Sequence, residues 1–85
     1  MTNLFDEQNR GERAAAILRD PLVVEAFETL KNTYVSRWLD SDLKDIDLRE
    51  VAFYRVRALK DLEDHFRSLV QTGAMASRQL ENPRK

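Results

Sequence analysis

The sequence predicts an all-α fold: an antiparallel αα-hairpin of two long helices plus a short N-terminal helix, completed to a helical bundle by dimerisation. Three observations predict it. The 85 residues include only two Gly and two Pro and show no strand-like alternation, while Ala, Leu, Glu, Arg and Lys, all strong helix formers, dominate. Apolar residues recur at three- and four-residue steps over two long stretches, the period of an amphipathic helix. A short polar connection, Asp40-Ser41-Asp42-Leu43-Lys44-Asp45-Ile46, joins those stretches, and a short connection returns one helix antiparallel to the other. One domain is expected: a loose lead-in over 1–9, a helical domain over 10–73, and a helical extension with a flexible tail over 74–85.

The first helix is expected from about Glu7 to Arg19, capped by Asn3 or Asp6. Its apolar face, Ala14 to Leu18, is small, so it needs packing to be stable. Asp20-Pro21 breaks it, because a residue before proline is pushed out of the α region. Proline is welcome at the first position of a helix, so Pro21 opens the second, running to about Leu39. Val23, Ala26, Phe27, Leu30 and Tyr34 form its stripe, with Trp38 at the edge.

The third helix organises the rest. Asp47 as N-cap and Glu50 three residues on have capping-box spacing, and Ile46 can staple onto Val51. Leu48, Ala52, Leu59, Leu62, Phe66, Leu69 and Val70 make one continuous face. Gly73 suits a helix stop, or a weak point in a helix that continues through Ala74 to Leu80. At about 1.5 Å per residue the third helix, ~39 Å, overshoots the second, ~28 Å. The overhang near Phe66 to Val70 is where the first helix folds back or another subunit docks.

Four side chains stand out as an interface. Phe53 and Tyr54 project off the main stripe, so the first turns are apolar almost all round and call for neighbours on more than one side. Trp38 lies at the hairpin's tip, and aromatic side chains are the usual interface anchors. Arg55 falls inside the apolar stripe, where its stem packs while its head reaches solvent or a carboxylate. Arg37 is expected to pair with Asp45 or Asp47, worth ~0.5–1 kcal/mol if exposed. Self-association is expected, most simply as a two-fold dimer.

Composition bounds the chemistry. Without Cys there is no disulfide, no thiolate metal site and no thiol nucleophile. The one His, His65, would need Asp61 and Asp64 to hold a metal and reads as a solvated helix-face residue. Asp40, Asp42, Asp45 and Asp47 lack the EF-hand pattern and read as capping residues. No nucleophile–base signature surrounds Ser36, Ser41, Ser68 or Ser77. The expectation is a protein that is not an enzyme and carries no cofactor or metal. A net charge of −1 with 34% charged residues argues against wholesale phosphate binding. A stripe of Arg49, Arg57, Lys60 and Arg67 could still track nucleic acid, although i,i+4 partners at Asp61, Asp64 and Glu63 neutralise it. No apolar run approaches the ~20 residues of a membrane span, and the N-terminus lacks signal-peptide features.

Arg13-Ala14, Asp20-Pro21-Leu22, Ala26-Phe27-Glu28-Thr29-Leu30, Trp38, the acid before Leu48-Arg49-Glu50, and Gly73-Ala74-Met75-Ala76 occur in this order. Over roughly residues 13–81 the chain resembles small helical proteins of tailed bacteriophages and prophages, typically encoded among terminase, portal and other head genes. The resemblance implies a viral origin, a host-cytoplasmic or virion location, and a role in head assembly or DNA packaging. It brings no catalytic residues. The expected partners are a second copy and another phage or host protein. The alternatives are a nucleic-acid-binding packaging accessory similar to a small terminase subunit, and a phage inhibitor of a host protein.

Overall fold

The structure, a computed structural model, describes residues 3–82. Met1 and Thr2 of the expected lead-in, and Pro83 to Lys85 of the expected tail, lie outside them. The described residues are all-α, with three helices: α1 (Leu4–Arg19), α2 (Pro21–Asp40) and α3 (Ile46–Glu81). They divide into two compact units, one of residues 21–62 and one made of 3–20 with 63–82.

In the first of these units α2 packs antiparallel on the opening turns of α3. Trp38 meets Arg49 and Tyr34 meets Arg55, so the residue numbers rise on one helix as they fall on the other. Of the expected α2 stripe, Val23, Phe27 and Tyr34 are half-buried, while Ala26, Leu30 and Trp38 stay exposed. On α3 the packed face centres on Ala52, which is 3% exposed and is the one buried residue of this unit. Val56 and Leu59 beside it are half-buried.

The tip of the hairpin is built from side chains that serve the backbone. The Ser41 hydroxyl donates to the Trp38 carbonyl at 2.6 Å as α2 ends. Asp42 accepts from the Lys44 N–H at 2.9 Å through its carboxylate and from the Asp45 N–H at 2.9 Å through its carbonyl, an Asx-type turn. That turn delivers Asp45 to the head of α3, where its carboxylate accepts from the Leu48 N–H at 3.1 Å. The N-cap is therefore Asp45 and not Asp47, which instead lies in the first turn of α3. A negative charge there still complements the helix dipole. The expected box with Glu50 and staple of Ile46 on Val51 are displaced with it, and both Ile46 and Val51 are exposed. Asp45→Ala is expected to lower stability by about 0.5–2 kcal/mol, and Asp47→Ala by a few tenths. Thermal melts of the two variants check this.

The second unit is α1 laid antiparallel along the end of α3. Asn3 is the cap: its side chain accepts from the Asp6 N–H at 2.8 Å. The helix accordingly begins at Leu4, and Leu4 to Asn9, expected to be loose, are helical. Gly73 does not end α3, which runs unbroken for 36 residues, and neither glycine has a positive φ. Gly73 has a different task. A Cβ at Gly73 would stand 2.8 Å from the Gly11 Cα and 3.0 Å from the Glu7 carbonyl oxygen; one at Gly11 would stand 2.7 Å from the Gly73 Cα. The two helices cross backbone to backbone, and only glycine fits. Ala14 and Ala76 are buried in the same unit, and the Gln8 amide donates to the Ser77 hydroxyl at 2.9 Å. Phe66, Leu69 and Val70 are half-buried.

Candidate protein-binding surface

The last turn of α2 and the first turns of α3 supply the site. The Asx turn sets where α3 begins, and the helical period then sends Ile46, Glu50 and Phe53 to one side and Ala52 and Val56 to the side that meets α2. Trp38, Ile46, Arg49, Glu50, Phe53 and Tyr54 line one recess of about 230 Å³. Three of the four expected interface residues, Trp38, Phe53 and Tyr54, thus come together.

The recess is ordered by aromatic contacts. The Arg49 guanidinium lies over the Trp38 ring at 5.3 Å. Such a contact is worth about 0.5–1 kcal/mol at an exposed site, and it ties the end of α2 to the start of α3. Phe53 and Tyr54 meet edge to face, with centroids 5.7 Å apart and an interplanar angle of 65°, the geometry that the ring quadrupoles favour. They remain 54% and 62% exposed. Leu39, Leu43, Ile46 and Val51 are exposed as well, so apolar side chains populate the same end of the hairpin.

Arg55, the fourth, is elsewhere. Its guanidinium lies 5.9 Å from the Tyr34 centroid, and that of Arg37 lies 5.8 Å from the same centroid. Arg55 is exposed to solvent, and a ring on α2 takes the place of a carboxylate as its partner. Arg37 likewise turns to Tyr34, while the Asp45 carboxylate serves the helix backbone. Sequence reasoning missed Ile46 and Glu50 as parts of this surface, and it gave Arg49 to nucleic acid. The signal was the placement of Trp38 one turn before the hairpin loop, which brings it opposite the first turns of α3.

The cations expected along a nucleic-acid stripe are engaged. Arg49 faces Trp38, Arg57 lies 3.8 Å from Asp61, and Arg67 lies 2.9 Å from Glu63. Lys60 is engaged too. The hydroxyls of Ser41 and Ser68 donate to carbonyls one turn back. Among the described residues no three His, Asp or Glu side chains converge on a point where a metal ion could sit. No helix among them is long and apolar enough to cross a membrane. No known protein family, curated protein or solved structure matches this chain.

Proposed function

We propose that this chain is a non-enzymatic helical protein that self-associates through the aromatic end of its hairpin and, so assembled, binds another protein. One observation carries the reading. The hairpin buries a single residue, Ala52, while it leaves Phe53 and Tyr54 more than half exposed beside Trp38. Ordering a residue's backbone costs about 1–2 kcal/mol, whereas a buried methyl-sized group returns only ~0.8 kcal/mol. Half-buried Val23, Phe27, Tyr34 and Val56 make up part of the difference. Covering the exposed rings is a gain still open to this unit, and aromatic groups in a recess have the form of interface hot spots. The resemblance to small phage and prophage proteins supports a place in head assembly or DNA packaging.

Absolute mass by light scattering after gel filtration, over a dilution series, tests the reading. The expected result is twice the 10.0 kDa of the chain or a higher multiple, falling only on strong dilution. The chain mass at every concentration would overturn it.

A further inference from the structure

The outer side of α3 at the recess carries a charge pattern that matches itself. Glu50 and Arg57 are two turns apart, which leaves them on one stripe with a drift of only ~20°. Phe53 and Tyr54 straddle the midpoint between them. The stripe therefore reads acid, aromatic pair, base. A half-turn about an axis through that midpoint, perpendicular to the helix, lays aromatics on aromatics and puts acid against base twice. A parallel arrangement would put Glu50 against Glu50. Glu50 lines the recess, and Arg57 is exposed, with only a 3.8 Å contact to the equally exposed Asp61. Both can reach across.

We propose that two copies of this chain pair through α3, antiparallel, on a two-fold axis passing between Phe53 and Tyr54, with Glu50 of each facing the partner's Arg57. This rests on the self-association proposed above and adds the occupant's orientation. The contact is isologous, so it closes at two copies. Each copy brings both rings to the centre and one charge of each sign to the flanks, and opposite charges at a rim fix register and suppress wrong partners.

Charge exchange tests it. Glu50→Arg and Arg57→Glu, made singly in the full chain, each put like charges face to face twice. Each is expected to raise the dimer dissociation constant at least about tenfold, by sedimentation equilibrium at low salt. The double exchange, carrying both substitutions, restores opposite charges in the antiparallel pair and is expected to return to within about threefold of the original constant. In a parallel pair it would restore nothing. As a second measurement, the chain has no Cys of its own, so Glu50→Cys and Arg57→Cys can be mixed and oxidised. The mixed disulfide is expected to exceed both homodisulfides, and a dominant Glu50→Cys homodisulfide would overturn the antiparallel axis. A monomeric unsubstituted chain overturns self-association and this geometry together. A dimer indifferent to both single exchanges overturns the geometry and leaves self-association standing.

Discussion

Replacing Gly73 with leucine is expected to detach α1 from the end of α3. A side chain at this position meets the Gly11 Cα at 2.8 Å and the Glu7 carbonyl at 3.0 Å, and neither can rotate out of the way, because both are backbone. Even alanine should lose here. Gly→Ala in a helix interior gains up to ~1 kcal/mol in propensity, but overpacking a tight contact costs about 1–3 kcal/mol. With nothing soft to absorb the strain, the cost wins, and Gly73→Ala should destabilise by about 1–2 kcal/mol. Leucine should separate the helices, since beyond the crossing Ala14 and Ala76 are buried, Phe66, Leu69 and Val70 are only half-buried, and the Gln8–Ser77 hydrogen bond is part-buried. A helix as short as the 16-residue α1 is marginal once unpacked. Circular dichroism should show lost helix, and limited trypsin digestion should cut first after Arg10 and Arg13. Full helicity and an unchanged digestion pattern for the leucine variant would mean that the crossing is looser than the 2.8 Å contact implies.

Truncating Phe53 and Tyr54 together to alanine should have the opposite profile: assembly is lost and the fold is kept. Both rings are exposed, so removing them takes little from the core. The edge-to-face pair itself is worth ~0.5–1.5 kcal/mol, and the gain in helix propensity from alanine offsets part of that. At an interface, a hot-spot aromatic costs about 2 kcal/mol or more when truncated, and each such loss weakens association by roughly thirtyfold. With two rings from each copy, the variant should run at the chain mass by light scattering, with helicity near that of the original. An unchanged oligomer mass would remove the recess as the self-association surface.

Residue pattern made the three helices legible, and its limits have particular causes. Pro21 and the polar loop mark the breaks without ambiguity, because proline and short turns act locally. Gly73 misleads, because one residue type serves two purposes. As a helix terminator it would need only its neighbours, whereas its role at a crossing depends on Gly11, which is remote in sequence. The choice of Asp45 over Asp47 as cap follows from the turn that Asp42 folds, one of several that a loop with this many aspartates could make. The same division holds at the recess. Trp38, Phe53 and Tyr54 are conspicuous because they sit off the apolar stripe. That Arg49 pairs with Trp38, and Arg55 with Tyr34, is decided by which turns meet across the hairpin, and periodicity along one helix does not contain that information.

The way the two units divide the chain has a consequence for how it is made. The hairpin draws on a contiguous segment, 21–62, while the other unit joins 3–20 to 63–82. Of these three helices, α1 is therefore the first to leave a ribosome and the last to be matched. When residue 62 has appeared, α2 already has its counterpart, yet Gly11 and Ala14 still face water, and the hydrogen bond from Gln8 awaits Ser77, which is 69 residues away in sequence. Loop closure over such a separation adds only about 0.6 kcal/mol per doubling of length, so the delay is one of timing more than of energy. Until Gly73 to Ser77 have appeared, α1 has only its N-terminal cap and its own backbone bonds, which leave a helix of this length marginal.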